Sequence, residues 1–327
     1  MNRRIRHLIA YVAAMLGLMV WQVLFASLPA LQRLSDFDAD IVYSLVAQIL
    51  CMGLLPLSVL LALGGGSAAD HFRVMRYKAP RDAKTCLLVC LGLMVLITPF
   101  TLAFNALTNL LFIVVGYKRV YPVGTIYLGV GDFFAMLAIT AVLPAIFEEF
   151  AHRGVLLSGL EYRGSERTAI ILCAVMFGLM HTNPSQMIFA TFGGLVFAYV
   201  VVKTDSIIPA MCAHFANNAI SVFLDYSSQT QNAFGVWYDK ISGTSVLSVG
   251  ATFLVLALSL FGMVKLMEFA ARKAPKPVSE GKLLGLVPVD LYNPEGKPTL
   301  KDNALVYAVI FSEAALLFGL FVWGILK

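Results

Sequence analysis

Between residues 148 and 218, three short groups of ionisable or amide residues interrupt sequence that is otherwise apolar. The first is Glu148-Glu149-Phe150-Ala151-His152-Arg153. The second is Phe177-Gly178-Leu179-Met180-His181, and the third His214-Phe215-Ala216-Asn217-Asn218. On a helix, residues four apart share a face. Glu149 and Arg153 are such neighbours, and Glu148 and His152 are another pair on a face ~100° away. Arg153 can neutralise Glu149, which leaves Glu148 facing something else. Phe177 shares a face with His181, and His214 with Asn218. The set offers one free glutamate, two histidines and an asparagine. Hydrolysis of a peptide bond needs an activated water and donors for a developing oxyanion. A carboxylate out of water, helped by a histidine, suits the first task. A second histidine and an amide suit the second. The same types also suit a zinc shell of Glu148, His181 and His214, which would lower the pKa of bound water. The residue types serve either mechanism. Each group also has a bland reading: a charged helix end in water, a hydrogen-bonded structural histidine, and a polar tie between helices.

The elements that hold these residues are membrane spans. The 327 residues are 59% hydrophobic and only 13% charged, against ~25% charged in soluble chains. Mean hydropathy is +0.82. This excludes a water-soluble enzyme, a disordered chain and an ordinary nucleic-acid binder. A span needs ~20 mostly apolar residues. Nine candidates meet or approach this, at roughly 8–31, 41–64, 85–115, 132–160, 168–187, 188–203, 206–225, 247–268 and 304–326. The sequence thus predicts an all-α, polytopic transmembrane helix bundle of about eight or nine spans. The third run contains Pro99 and Asn105, so a kink, or a span plus an interfacial segment, is expected there. The first run exceeds a signal-peptide core and shows no small-residue cleavage site, so it reads as a retained span.

Charge placement sets the expected orientation. With the N-terminus in the cytoplasm, 19 of the 24 Lys and Arg fall on the inner side, Arg153 counted among them, and 5 on the outer. That obeys the positive-inside rule, although the formal net charge is only +5. Short loops point to a prokaryotic plasma membrane. The expected organisation is 1–130 as N-terminal spans, 131–226 as the core carrying the three groups, and 227–327 as C-terminal spans. A proline-rich cytoplasmic linker is expected at about 269–303, its basic start lying against anionic headgroups. The outer loop 226–246, with Phe234, Trp237 and Tyr238, reads as an interfacial aromatic belt. Five cysteines, none in a CxxC pair, read as buried reduced thiols. Depth gives a check. If the chain turns near Arg163-Gly164, Glu148 and His181 lie ~22 and ~27 Å from that turn, roughly level. His214 lies only ~14 Å past Asp205, which fits if the 203–209 connection dips into the protein. Pro209 is expected to bend the helix that follows it.

The three groups in this order resemble the signature of the CPBP family of intramembrane proteases. That family includes CAAX prenyl endopeptidases of the Rce type and the Abi-like bacteriocin-processing or immunity-associated proteins. Its pattern is EExxxR, FxxxH, then HxxxN or HxxxD, matched by Glu148-Glu149…Arg153, Phe177…His181 and His214…Asn218. The resemblance covers about 70 residues and implies a membrane-embedded helical fold whose site opens toward the cytoplasm. It implies that Glu148 and His181 activate water and that His214 and Asn218 support the oxyanion. Supporting roles fall to Glu149, Arg153 and Phe177. The implied substrate is a membrane-associated peptide or lipidated protein in the bilayer, with no nucleic acid involved. A prenylated CaaX tail, a leader peptide or a general membrane-protein tail all satisfy that description. No cofactor is required by the glutamate mechanism, toward which the reading leans, since Asn218 would be a poor zinc ligand; zinc is the one cofactor the residue types could accommodate.

Other intramembrane proteases fit worse. Gly129-Val130-Gly131-Asp132 matches GxGD, but no earlier span carries the second aspartate that aspartyl proteases need. No HExxH occurs for a site-2-type metalloprotease. Both GxS sites, Gly65-Gly66-Ser67 and Gly243-Thr244-Ser245, fall in loops, which argues against rhomboid-type chemistry. A transporter would show repeated halves, and none is visible. The serious alternative is a non-catalytic membrane scaffold or bacteriocin-immunity protein that keeps the polar network for structure.

Overall fold

The computed structural model describes residues 2–64, 66–77, 82–116, 126–162, 165–181, 184–236 and 246–273, with isolated positions between 304 and 314. Among these residues there is helix and no strand. The long elements are α1 (Arg3–Ser27), α2 (Asp36–Ala62), α4 (Ala83–Val114), α5 (Val130–Glu161), α7 (Pro184–Thr204), α8 (Ile208–Thr230) and α9 (Val246–Lys273). Between them lie the short α3 (Ala68–Val74) and α6 (Glu166–Leu179). Six helices are long and apolar enough to cross a membrane: α1, α2, α4, α5, α7 and α9. The molecule is an all-α polytopic bundle.

Several boundaries differ from the sequence expectation. The run expected at 168–187 stops at Leu179, and a new helix starts at Pro184. With 14 residues α6 is ~21 Å long, short of a ~30 Å hydrocarbon core. His181 therefore lies just beyond a helix end rather than within a span. The run 85–115 is one continuous 32-residue helix with Pro99 inside it. Pro209 does not bend α8; it sits in the first turn, where a missing N–H costs nothing, and so marks the helix start. α8 continues to Thr230, five residues past its expected end, because Asp225-Tyr226-Ser227-Ser228 are polar yet still helical. The helix α9 runs through Lys273 into the expected linker; 274–303, most of the expected ninth span, and Trp237 and Tyr238 lie outside the described residues. Arg153 does not belong with the loop cations, because it is fully buried.

Two long helices are not regular. α2 widens to a π-type stretch at Val46–Leu54, and α5 does so twice, at Leu137–Val142 and Phe150–Leu156. Such stretches shift the helix face and cluster at functional sites. Here they fall at Gln48, at Thr140 and at His152-Arg153. Gly129 precedes α5, whose first turn is closed by Asp132 accepting from the Leu128 N–H at 2.7 Å. The GxGD match is thus a helix start.

α1 braces α5 through a polar stripe at helical spacing. Arg4 donates to the carbonyls of Leu160 at 2.6 Å and Tyr162 at 3.1 Å, covering the exposed carbonyl end of α5. His7 Nδ1 donates to the Val155 carbonyl at 3.1 Å, and the Tyr11 hydroxyl reaches His152 Nε2 at 3.1 Å. α6 and α7 approach closely at small residues, as membrane helices do. A Cβ on Gly178 would lie 2.8 Å from the Met187 carbonyl oxygen. One on Gly194 would lie 3.1 Å from Ala174 Cα.

The 203–209 connection is largely buried, with Ile208 its one exposed residue. Ser206 is fully covered and Ile207 nearly so. Asp205 takes a left-handed conformation, φ 54°. Arg76 holds the turn from outside: it bonds Asp205 at 3.3 Å and clasps both Glu161 oxygens at 2.8 and 3.0 Å. The Ile207 N–H donates to the Arg76 carbonyl, and Lys203 pairs with Glu166. These ties let α8 begin at a depth that brings His214 level with Glu148.

Candidate active site

A cavity of about 320 Å³ lies inside the bundle, walled by six segments. α5 contributes Thr140, Pro144 and Glu148, one side of successive turns. Phe177 and His181 come from the end of α6, and Gln186, Phe189 and Phe197 from α7. α8 adds His214, Asn217, Asn218 and Ser221. α2 adds Ser44 and Gln48, and α4 adds Ile97, Thr101 and Asn105, again spaced by four. All four residues expected to do chemistry, Glu148, His181, His214 and Asn218, line this one space. Phe177 lines it too, while Glu149 and Arg153 lie behind the wall.

The supporting pair is as helical spacing dictates. Arg153 Nη1 donates to Glu149 Oε1 at 2.9 Å, with both side chains at 0% exposure. The charged helix end in water is thereby overturned. A buried charge needs a partner, and here every neighbour helps. The Arg153 guanidinium lies 4.1 Å from the Phe177 ring centroid and 5.3 Å from that of Phe197, and its Nη2 reaches the Gly194 carbonyl at 3.4 Å. Stacking of this kind contributes up to ~2 kcal/mol when desolvated. Phe177 thus packs against Arg153 on one side and the His214 ring, 5.7 Å away, on another.

The same Glu149 oxygen accepts from His214 Nδ1 at 2.9 Å. Arg153, Glu149 and His214 form a chain that fixes the His214 ring. Its other nitrogen, Nε2, lies 3.8 Å from Glu148 Oε2. Glu148 itself accepts from Gln48 Nε2 at 2.8 Å.

The histidines divide by what surrounds them. His181 Nδ1 bonds the Phe177 carbonyl at 2.7 Å. A carbonyl only accepts, so Nδ1 carries a proton, and in the neutral ring Nε2 is left with its lone pair. His152 is bonded at both nitrogens, Nδ1 to the Glu148 carbonyl at 3.0 Å and Nε2 to the Tyr11 hydroxyl. It is structural, although its i,i+4 spacing from Glu148 would equally suit a side-chain pair.

Asn218 is placed by a proline. Pro144 has no N–H to return to the Thr140 carbonyl four residues back. Asn218 Nδ2 takes that acceptor at 3.0 Å. Asn217 Nδ2 donates to Asn218 Oδ1 at 3.2 Å, which fixes the orientation of the amide. Nδ2 bears two hydrogens, so one remains for a ligand.

Among the described residues, no three His, Cys, Asp or Glu side chains converge closely enough to hold a metal ion. Glu148, His181 and His214 line one cavity, but they are not arranged as a zinc shell. The sequence reading missed Gln48, Tyr11 and the Thr140 carbonyl, and it took Asn105 only for a kink marker. Gln48 and Asn105 were visible as amides inside apolar runs, which membrane spans rarely carry without a reason.

Residues 130–220 match the family described as Rce1-like, type II CAAX prenyl endopeptidase Rce1-like. The matched segment spans α5 through most of α8 and contains all three motifs. No curated protein and no solved structure matches the chain.

Proposed function

We propose that the chain, whose residues 130–220 match the Rce1-like family, is an intramembrane protease that hydrolyses a peptide bond near the end of a membrane-associated protein. Glu148 acts as base toward a water, and His181 Nε2 accepts that water's hydrogen bond. The oxygen adds to the scissile carbonyl. His214, held by its Nδ1–H bond to Glu149, supports the oxyanion from its Nε2 side. The second Nδ2 hydrogen of Asn218 donates to the same oxyanion. The proton taken by Glu148 passes to the leaving nitrogen as the C–N bond breaks. Glu149 and Arg153 hold His214 in place.

One observation carries this reading: four polar groups, brought by α5, α6 and α8 from far apart in sequence, meet in a single cavity whose other walls are largely apolar or neutral. No Lys or Arg is among its lining residues. The lining suits a peptide with aliphatic side chains. A farnesylated or geranylgeranylated CaaX tail is the substrate class that the family description suggests, and a prokaryotic plasma membrane with the N-terminus inside is the setting. No step requires a metal. The test compares new peptide termini in membranes of cells expressing wild type or Glu148→Gln at matched levels. Termini that appear only with wild type support a protease and give its cleavage motif. Identical profiles move the assignment to a non-catalytic scaffold or immunity protein.

A further inference from the structure

Gln48 is an amide inside the apolar run Val46–Leu54 of α2, outside the segment that matches the family. Its Nε2 donates to Glu148 Oε1 at 2.8 Å. An ionised carboxylate only accepts, so this bond decides which end of the amide faces Glu148. The amide oxygen is thereby turned away from the carboxylate. That oxygen is buried and has no hydrogen-bond partner on the protein. An acceptor left in this state is costly, and such groups in native proteins call for an explanation. Gln48 also lines the cavity that holds Glu148, His181 and His214. Water is the natural partner of an orphaned acceptor in a polar, roomy cavity.

We propose that Gln48 is a further residue of the hydrolytic site, orienting Glu148 through Nε2 and holding the attacking water through Oε1. The inference rests on the protease reading above. The water donates one hydrogen to Glu148 and shares the other between Gln48 Oε1 and His181 Nε2. As its oxygen bonds to the scissile carbon, the first proton moves to Glu148 and later to the leaving nitrogen. The second stays on the oxygen, bonded to Gln48, and becomes the hydroxyl hydrogen of the product acid. Gln48 is unchanged by the cycle. The π-type stretch of α2 gains a purpose, since it carries the one residue of that helix bonded to Glu148.

The experiment uses full-length protein in phosphatidylcholine–phosphatidylglycerol vesicles. The probes are fluorescence-quenched peptides ending in a CaaX sequence, either farnesylated, geranylgeranylated or unmodified. Wild type, Gln48→Met, Gln48→Glu and Glu148→Gln are compared for kcat, KM and melting temperature. Gln48→Met keeps the volume and removes both hydrogen bonds. Gln48→Glu keeps the shape and replaces the amide donor with a second carboxyl that competes with Glu148 for one proton, so it carries the test if Gln48→Met fails to fold. The expected result is a kcat lower by about 10²-fold in both, as misplacement of a reacting group commonly costs. KM stays within about twofold and melting close to wild type, a split that a purely structural role does not produce. Either folded variant with wild-type kcat overturns the proposal. If Glu148→Gln is inactive at the same time, the protease reading survives alone. Activity in Glu148→Gln, or no cleavage of any probe by wild type, overturns both.

Discussion

Replacing Arg153 with methionine should expose how much of the bundle depends on one fully buried cation. Its Nη1 sits 2.9 Å from Glu149 Oε1 and both side chains are inaccessible to solvent. At an effective dielectric of ~20, two unit charges at that distance attract by about 6 kcal/mol. That figure is gross, because both groups were stripped of water to meet. The measurable quantity is the cost of leaving Glu149 buried with His214 as its remaining hydrogen-bond partner, at most about 3–5 kcal/mol. Methionine fills the space and stacks on Phe177 and Phe197, so little of the loss comes from a cavity. For a chain of 327 residues such a loss lowers the melting temperature by about 4–7 °C on the scale of globular proteins. The double variant Glu149→Gln/Arg153→Met removes both charges, and most of the loss should return. The assay is thermal unfolding in detergent, followed with a thiol-reactive fluorogenic dye. Cys51, Cys86, Cys90 and Cys173 are buried and free, and so become reactive only on unfolding. A single variant that melts within about 1 °C of wild type would refute the reasoning. So would a double variant that melts as low as the single, since the cost would then lie in lost packing rather than unpaired charge.

Tyr11→Phe removes the hydroxyl at His152 Nε2 and should destabilise by about 1–3 kcal/mol, with turnover per folded molecule unchanged. His181→Ala should do the reverse, abolishing turnover at near-normal melting; equal effects from both would overturn the division of the histidines. Asn218→Ala removes one hydrogen bond to the Thr140 carbonyl, whereas adding Pro144→Ala offers a backbone N–H to the same acceptor. The stability cost of the pair should therefore be smaller than that of Asn218→Ala, and simple additivity of melting shifts would sink the account. Treatment with 1,10-phenanthroline should leave cleavage intact, and inhibition restored by added zinc would require a metal that the proposed steps do not use.

The fold class and the pairing of nearby side chains were more legible than the helix ends. Glu149–Arg153 was readable because helical spacing alone makes them neighbours, and buried charge then demands that they pair. The meeting of His181 and His214 with Glu148 rested on motif order and a depth argument. It holds because the 203–209 connection is largely buried, which the depth of His214 required but no local signal announced. Helix ends were less legible. The end of α6 at Leu179 did have a local signal, the polar run His181-Thr182-Asn183 followed by Pro184, but overall hydropathy carries the run 168–187 across it. Pro209 read as a bend because proline disrupts helix interiors, yet the same residue is at home in a first turn. Partners outside the motifs, Gln48 and Tyr11, were hidden by distance along the chain. Their contacts with Glu148 and His152 span 100 and 141 residues.

The brace between α1 and α5 also sets an order of events during synthesis. The partners of Arg4, His7 and Tyr11 lie 141–158 residues further along the chain. At ~5–20 residues per second of translation, α1 waits about 7–30 s before α5 is made. Throughout that interval an arginine, a histidine and a tyrosine on one face have no partner from α5, in or near a lipid phase that penalises each. The nascent helix must therefore rest near the interface or against the insertion machinery. It reaches its final depth only when α5 arrives to receive it. Weakening the stripe would then lower yield during biogenesis more than it lowers the melting point of molecules that complete assembly.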